Sequence, residues 1–424
     1  MTKTSVIALI DGEHHPDAVR AELDRLAGER ELAAVVFCGG EEKLRPGALE
    51  NAREHWGREV VSAAEAPAAA LALLAAETGA GTVVDLADEP VLGPSARLRL
   101  AAHALHAGLD YEAPGLLLRA PHYEPIGFDG PKLAVIGTGK RTGKTAVAAH
   151  WARLLRAQRD IGPVIVSMGR GGPAQPELAH ADTTLDDLLA LADSGRHAAS
   201  DYLEDALLAG VIAVGTRRVG GGLAGAPAWS NVAAGAALAA SLDPGALIVE
   251  GSGACVPPVA VDRTLCVVGD RPGALEALGP VRLLRADLAL VIDDTDTGLA
   301  DEVAELCPGR VLRGELRPEP AEPIPARARV ALFTTRARSC AGVEPLVGST
   351  NLARRDALGA DLERARAEAC DVYLTELKAA AIDTVAHSAR VDGARVVFVR
   401  NRVAGVDGDL DAALLGLYDE VADG

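Results

Sequence analysis

The stretch Gly137-Thr138-Gly139-Lys140-Arg141-Thr142-Gly143-Lys144-Thr145 decides the fold of this 424-residue chain. It follows an apolar run at 132–136 and opens a helical pattern at 145–156. A glycine-rich turn between a buried strand and a helix is the context of a P-loop, whose backbone amides and helix N-terminus hold phosphate groups. We therefore predict a nucleoside triphosphate site in which Lys144 reaches the β- and γ-phosphates and Thr145 is a ligand of Mg²⁺. The residues predicted to hold the nucleotide are Gly139, Arg141, Thr142, Gly143, Lys144, Thr145 and Ala146.

The spacing of this loop differs from the common Gly-x4-Gly-Lys-Thr pattern by one residue, because Thr138 stands where the first glycine is expected. A chance Gly-Lys-Thr sequence after a strand is the alternative interpretation. Lysine usage favours the functional one, since the chain has only six lysines and two of them lie in this loop. In a chain whose other basic residues are all arginine, we predict chemical roles for Lys140 as well as Lys144.

Composition excludes several classes of protein. The net charge of −18 argues against nucleic acid and anionic membranes as general partners. No apolar run reaches the roughly 18 residues that a membrane-spanning helix requires. The six cysteines are scattered without a Cys-x-x-Cys pair, so we expect reduced thiols in a cytoplasmic protein.

Strand and helix signals alternate along the whole chain, which predicts an α/β fold with mostly parallel sheets. We predict a Rossmann-like N-terminal α/β domain at 1–125, a P-loop NTPase core at 130–316 and a C-terminal α/β part at 329–424. That last part either continues the core sheet or forms a third lobe. Segments at 113–129 and 317–327 are rich in proline and are predicted connections.

Polar side chains follow the first predicted strand at 5–11. Asp11, Glu13 and His14 come directly after it, with a second histidine at 15. The carboxyl ends of parallel strands carry ligand sites, and two carboxylates with two imidazoles exceed what a turn needs. We predict that Asp11, Glu13 and His14 bind substrate, whereas Asp85 at the end of another strand favours ordinary turn chemistry.

Glu250 ends the apolar strand 246–250 and precedes a glycine-rich turn. A carboxylate at this place after a P-loop resembles a Walker B acid, which binds Mg²⁺ directly or through water. We predict a catalytic and metal-binding role for Glu250. Asp182 is a candidate second carboxylate for the metal, and a helix N-cap at 182–184 is an equally good interpretation of it.

Two arginine-containing segments are candidate anion sites. Arg170 lies among three glycines after the strand 163–168, and Arg217 and Arg218 precede three consecutive glycines. Arginine binds phosphate in a bidentate way, and glycine lets the anion approach the backbone. We predict that all three arginines bind an anionic substrate. Because Arg217-Arg218 followed by Gly-Gly-Gly suits neither a helix nor a strand, we expect a loop there, and a plain mobile turn is the alternative for each segment.

Two further polar segments have no single interpretation. Asp293 and Asp294 follow an apolar strand and could bind metal, read a nucleobase or cap a helix. Glu376 and Lys378 follow the predicted strand 371–375 and could contact substrate or nucleotide.

Taken together, four segments resemble the cyclic 2,3-diphosphoglycerate synthetase family, over most of the chain. They are Leu9-Ile10-Asp11-Gly12-Glu13-His14, the loop 137–145, Ser167-Met168-Gly169-Arg170-Gly171-Gly172 and Glu250-Gly251-Ser252-Gly253. The long P-loop is also similar to that of dethiobiotin synthetase, a related ATP-dependent ligase.

The resemblance implies an ATP-dependent ligase that uses Mg²⁺. It would transfer the ATP γ-phosphoryl group to one phosphate of 2,3-diphosphoglycerate, form an intramolecular phosphoanhydride, and release ADP and phosphate. Synthetases of this P-loop class often dimerise, so we expect a homodimer acting on an anionic small molecule.

Two alternatives stay open at this point. One is another small-molecule synthetase of the dethiobiotin type, against which the clustered arginines argue. The other is a partner-regulated P-loop ATPase. Such ATPases carry a signature lysine five residues before the Gly-Lys lysine, where this chain has Gly139.

Overall fold

The computed structural model of the chain describes residues 4–292, 298–337 and 339–423. The predicted acidic residues Asp293 and Asp294 lie outside the described residues. Within the described part, no helix is long and apolar enough to cross a membrane. The chain forms two compact units. The first comprises Met1–His122, Gly222–Ala226 and Arg271–Arg285, and the second comprises Tyr123–Gly221, Pro227–Asp270 and Ala286–Gly424.

The first unit is a doubly wound α/β layer. Its strands are β1 (Ser5–Ile10), β2 (Glu31–Phe37), β3 (Val61–Ser62), β4 (Thr82–Asp85), β5 (Asp110–Ala113) and β6 (Leu116–Leu118). They lie in the order β3-β2-β1-β4-β5-β6, and only the β5–β6 pair among these strands is antiparallel. Strand β1 is buried on both faces because helices cover both sides, which explains its continuous apolar run.

The helices of the first unit divide its core into two layers. They are α1 (Pro16–Glu29), α2 (Ala52–Trp56), α3 (Pro67–Thr78) and α4 (Pro94–His106). Trp56 and Phe37 pack on one face of the sheet, whereas Leu71 and Leu100 pack on the other. Chain order reverses between β1 and β4, so the crevice at their carboxyl ends is where ligands bind in such sheets.

The second unit is built on one large sheet. Among the described residues its strands are β7 (Lys132–Gly137), β8 (Pro163–Gly169), β9 (Glu177–Ala179), β10 (Ile212–Val219), β11 (Trp229–Ser230), β12 (Ala246–Glu250), β13 (Arg263–Val268), β14 (Leu288–Ile292), β15 (Arg310–Pro320), β16 (Val330–Phe333), β17 (Val347–Ser349), β18 (Val372–Glu376) and β19 (Arg395–Gly405). The order is β11-β10-β8-β12-β7-β13-β14-β15-β19-β18-β16-β17, with β9 paired to β10. The P-loop strand β7 therefore lies in the middle of a parallel region.

The register shows that the sheet has two parallel halves that run in opposite directions. Strand β15 pairs in parallel with β14 only up to Gly314, and its remaining residues pair antiparallel with β19. Strand β18 runs parallel to β19, and Glu376 at its end aligns with Val399, which pairs with Pro320. The carboxyl end of β18 thus points back toward the carboxyl edge of the P-loop half.

Helices cover the faces of this sheet. They are α5 (Lys144–Arg159), α6 (Leu185–Asp193), α7 (Asp201–Glu204), α8 (Val232–Ala240), α11 (Leu299–Ala304), α12 (Arg355–Ala367), α13 (His387–Asp392) and α14 (Leu410–Ala422), whereas α9 (Arg271–Leu275) and α10 (Pro280–Leu284) belong to the first unit. Residues 205–209 and 381–386 form π-helical turns. One core contains Trp151 of α5, Leu188 of α6 and Phe398 of β19, so P-loop and C-terminal elements share it.

The predicted α/β class and mostly parallel sheets are confirmed, and three local expectations are wrong. The segment at 215–219 lies in strand β10 instead of a loop, because pairing with β8 and β11 supplies its hydrogen bonds. Residues 317–320 continue β15, which β19 pairs, although their composition predicted a connection. The predicted connection at 113–129 contains strand β6, which pairs with β5.

Candidate nucleotide and anion site

The P-loop begins where β7 ends and continues into α5. Lys144 is buried, and its ammonium group donates to the carbonyl oxygen of Gly139 at 2.8 Å. Gly143 caps the helix with φ of 100°, and a Cβ atom there would lie 2.6 Å from a methyl carbon of Leu316 in β15. The turn therefore requires glycine at 143. Lys140 and Arg141 are exposed on the outer side of the loop.

A hydrogen bond joins the first helical turn of α5 to the end of β12. The hydroxyl of Thr145 donates to Oε1 of Glu250 at 2.6 Å, and Oε2 of Glu250 is buried without a hydrogen-bond partner. Burial, followed by the charge of Asp201, raises the pKa of Glu250 to about 8. A hydroxyl beside a buried carboxylate with a free oxygen fits a hard divalent cation such as Mg²⁺. These two predicted metal-binding residues therefore lie together.

Three acidic residues near this pair were not predicted from the sequence. Asp201 and Glu204 lie in α7, and Asp205 begins the π-helical turn that follows. Ser167 of β8 donates to Oδ2 of Asp205 at 2.6 Å, and burial raises the pKa of Asp205 well above its usual range. Burial also lowers the pKa of Lys144, which the negative charges of Glu250 and Asp201 oppose.

The available sequence signal for these acids was weak. Asp205 is fully buried, and its neighbours Ala206 and Leu203 are apolar core residues. An acid therefore interrupts an otherwise apolar face. Such an interruption is typical of a functional carboxylate, because burying a charge without a partner is costly. Nothing in the local sequence reveals that this turn lies beside β8 and β12.

Two of the three predicted anion-binding arginines lie together. Arg218 is buried, and its Nη atoms donate to the carbonyl oxygens of Gly220 at 2.7 Å and Ser252 at 2.8 Å. Its Nε atom is buried and has no hydrogen-bond partner among the described residues. A Cβ atom at Gly253, whose φ is 62°, would lie 2.7 Å from Nη2 of Arg170 and 3.5 Å from Nη2 of Arg218. The guanidinium groups therefore meet at the turn after Glu250, and Gly253 leaves the space for them.

Arg217 lies on the opposite face of β10, because successive strand residues alternate in direction. Its guanidinium carbon lies 5.8 Å from the ring centroid of Trp229. Asp182 is exposed in the turn before α6, and the side chain of Thr184 caps that helix together with Asp187. Neither Arg217 nor Asp182 forms a hydrogen bond or ion pair with Thr145 or Glu250 in the described part of the chain, and Thr184 is the residue that caps the helix after Asp182. A metal-binding role for Asp182 and a substrate-binding role for Arg217 stay predictions.

The N-terminal cluster lies in the first unit at the carboxyl end of β1. The Asp11 carboxylate is buried and accepts hydrogen bonds from Nδ1 of His14 at 2.8 Å and the amide of Asp88 at 2.6 Å. It also accepts the amides of Glu13 and His14. Glu13 forms an ion pair with Lys43. Asp11 therefore organises the loops, whereas His14 is 38% exposed and is available to a ligand.

A cavity of about 660 Å³ opens at this strand end. His14, Glu22, Asp85, Asp88 and Arg97 provide its polar lining, and the remaining lining is mostly apolar. Asp85 is buried and accepts hydrogen bonds from Arg97 at 2.6 Å and from the Tyr111 hydroxyl at 2.7 Å. The expectation of a structural role for Asp85 agrees with these bonds.

The two C-terminal residues without a predicted role have different environments. Glu376 accepts hydrogen bonds from the amide and hydroxyl of Thr335, at 2.8 and 2.7 Å. Lys378 lies two residues beyond β18, and its Nζ atom is 3.9 Å from Oε2 of Glu204. Lys378 is therefore near the acids of the P-loop site.

Comparison with protein families gives three matches that cover most of the chain. Residues 5–119 match the N-terminal domain of cyclic 2,3-diphosphoglycerate synthetase, residues 132–306 match its P-loop domain, and residues 329–402 match its C-terminal domain. The described P-loop, Glu250 and Arg218 all lie within the second match.

Curated proteins with the same name are similar over nearly their full length. The Rubrobacter xylanophilus cyclic 2,3-diphosphoglycerate synthetase is 41% identical, over 96% of this chain and 96% of the relative. The Thermococcus gammatolerans protein is 38% identical, over 98% and 97%. The Methanothermobacter thermautotrophicus protein is 37% identical, over 98% and 96%.

Proposed function

Because the chain belongs to the cyclic 2,3-diphosphoglycerate synthetase family, we propose that it uses ATP to close a phosphoanhydride ring within 2,3-diphosphoglycerate. The products are cyclic 2,3-diphosphoglycerate, ADP and inorganic phosphate. The observation that carries this proposal is the turn after β12. There a buried carboxylate oxygen of Glu250 lacks a hydrogen-bond donor and the nearby Nε of buried Arg218 lacks an acceptor. In this proposal a bound cation interacts with the free oxygen of Glu250, and an anionic substrate accepts a hydrogen bond from Nε of Arg218.

The proposed reaction has two steps. An oxygen of one substrate phosphate attacks the γ-phosphorus of ATP, the bond to the bridging oxygen of ADP breaks, and a diphosphate group forms on the substrate. An oxygen of the neighbouring substrate phosphate then attacks the inner phosphorus of that group. The outer phosphate leaves with the bridging oxygen, and the ring closes.

Positioning and charge neutralisation provide the catalysis in this proposal, because phosphoryl transfer needs no nucleophilic side chain. Residues 139–146 hold the nucleotide phosphates through backbone amides. Lys144 leaves the carbonyl oxygen of Gly139 and binds the β- and γ-phosphates, and exposed Lys140 is free to approach the γ-phosphoryl group.

Thr145 and Glu250 are the residues that would hold Mg²⁺, and Asp201 is the further carboxylate whose charge acts most strongly on Glu250. Bound Mg²⁺ supplies neutralisation of charge on the β- and γ-phosphate oxygens. Glu250 must be ionised to bind the cation, so its raised pKa makes cation binding tighter as pH rises toward about 8.

Arg170 and Arg218 bind the substrate phosphates in this proposal, because their guanidinium groups meet beside Glu250. We also propose that Arg217, Asp11, Glu13 and His14 contact the substrate, and His14 has the most exposed side chain of the three N-terminal residues. A homodimer is also proposed, and light scattering of the purified protein measures it directly.

Phosphorus NMR of purified protein with Mg-ATP and 2,3-diphosphoglycerate tests the proposed function. We expect new phosphoanhydride resonances that grow together with ADP and free phosphate, and Lys144→Ala is expected to abolish them. ADP formation without the new resonances would show a kinase or an uncoupled ATPase. Turnover of another diacid would favour a synthetase of the dethiobiotin type.

A further inference from the structure

We propose that Lys378, supplied by the C-terminal half of the sheet, is a catalytic residue whose ammonium group binds the γ-phosphoryl group during transfer. The inference rests on the proposed function, because it requires ATP to be the phosphoryl donor. It assigns to the C-terminal half a direct part in the chemistry of the P-loop half.

The topology brings Lys378 to the P-loop. The two parallel halves run in opposite directions, and β15 extends past Gly314 so that β19 and β18 lie beyond the carboxyl edge of the P-loop half. Because β18 runs back toward that edge, the residues that follow Glu376 face the nucleotide site. A Cβ atom at Gly143 would lie 2.6 Å from a methyl carbon of Leu316, which shows how closely the extended part of β15 approaches the P-loop.

In the described part of the chain, Lys378 has a loose ion pair with Glu204 and no hydrogen bond from its ammonium group. Its Nζ atom is 3.9 Å from Oε2 of Glu204, which is beyond hydrogen-bond distance, and that oxygen is buried without a hydrogen bond. Among the described residues no acceptor takes a hydrogen bond from this ammonium group. A structural lysine of a buried ion pair is normally held by direct hydrogen bonds.

Acidic residues keep the ammonium group of Lys378 charged. The charge of Glu204, followed by those of Asp201, Glu376 and Glu250, raises the pKa of Lys378 although burial opposes the shift. The Lys378 charge in turn acts on Lys144. Lys378 therefore lies within electrostatic range of both the P-loop lysine and Glu250.

The side chain of Lys378 is 40% exposed, whereas that of Glu204 is 12% exposed. The lysine can therefore leave Glu204 for a ligand, while the acid stays in place. In the ligand-free protein Glu204 keeps the ammonium group near the site, and Glu204 acts as a positioning residue. A triphosphate is a stronger partner, since a charge-assisted hydrogen bond to phosphate is shorter than this loose ion pair.

The test compares Lys378→Met with Lys378→Arg and with Arg390→Gln. Arg390 is an exposed cation of the same C-terminal segment that forms an ion pair with Asp186, so its loss controls for general charge and packing effects. Removal of one such donor to the transition state is expected to lower kcat about 100-fold, with Lys378→Arg losing about tenfold. Arg390→Gln is expected to stay within about twofold of wild type.

A second readout separates catalysis from structure. Binding constants of ADP and of a non-hydrolysable imido analogue of ATP are measured for each variant. Because Lys378 is proposed to contact only the γ-phosphoryl group, Lys378→Met should weaken the analogue about tenfold and leave ADP binding unchanged. Equal loss for both ligands, or a kcat within about threefold of the control, would overturn the inference.

The double variant Lys378→Met with Glu204→Gln guards against misfolding from an unpaired buried acid. It should fold like wild type and show the same loss of kcat and of analogue binding as Lys378→Met. Recovery of either property in the double variant would contradict a phosphate contact. Failure of the wild-type protein to turn over would refute the proposed function, whereas selective loss of analogue binding would still support the lysine contact.

Discussion

Glu204 is expected to make the ligand-free protein less stable as pH rises, and Glu204→Gln should remove that dependence. Burial raises the pKa of Glu204 from 4.5 to about 7, and the charge of Lys378 opposes the shift only in part. The side chain is 12% exposed, so solvent screening is slight. Glutamine preserves the shape of the side chain without the ionisation.

The size and sign of the effect follow from proton linkage. Between pH 4.5 and 7 the folded chain holds a proton at Glu204 that the unfolded chain has lost. The free energy of unfolding therefore falls as pH rises through this window. Integration between pH 5 and pH 8 gives a loss of about 2.5 kcal/mol from this one carboxyl group.

Urea unfolding at pH 5, 6, 7 and 8 measures the effect in wild type and Glu204→Gln. Contributions of other titrating groups cancel in the difference between the two proteins. We expect wild type to lose about 2.5 kcal/mol relative to the variant across this range. A difference that stays constant within about 0.5 kcal/mol would refute the burial argument. Asp186→Asn, which removes an exposed acid, is the matched control and should show no such trend.

Two further changes test the first unit and the arginine site. Asp85→Asn should lower the free energy of unfolding by about 3 kcal/mol in urea titrations, because it removes the buried carboxylate that pairs with the half-buried Arg97 guanidinium; a loss below about 1 kcal/mol would contradict this. Arg218→Lys should raise KM for 2,3-diphosphoglycerate more than tenfold, since lysine cannot replace its fork of donors, whereas Arg390→Lys, at an exposed arginine paired with Asp186, should change KM less than about threefold. Equal effects of the two substitutions would contradict a direct contact between Arg218 and the substrate.

The P-loop was predictable because its signal is local. A buried strand, glycines and a helix occur in immediate succession, so the backbone alone brings Lys144 and Thr145 to one place. Glu250 was predictable for a similar reason, since a carboxylate that ends a central strand adjacent to β7 lies at the same edge.

The last part of strand β10 could not be predicted from the composition of its sequence. Arg217 and Arg218 followed by glycines have no strand signal of their own, and the strand forms because β8 and β11 pair with it. Consequently the sequence also failed to separate the two arginines, which point to opposite faces. Only Arg218 faces the turn at Gly253.

The acids of α7 and the role of Lys378 depend on contacts over long sequence separations. Glu204 and Lys378 are 174 positions apart in the chain. Their proximity follows from the extension of β15 beyond Gly314 and the return of β18, neither of which is visible in local patterns. The proline-rich composition of 317–320 in fact predicted the opposite, a connection between domains.

The most direct test of the proposed phosphoryl transfer traces oxygen atoms from the substrate into the released phosphate. The substrate 2,3-diphosphoglycerate is prepared with ¹⁸O in the non-bridging oxygens of both phosphates, and the released inorganic phosphate is analysed by mass spectrometry. If the γ-phosphoryl group is transferred to a substrate phosphate and then expelled, each released phosphate carries one ¹⁸O atom. Released phosphate without ¹⁸O, in reactions that still form the cyclic product, would contradict the proposed transfer.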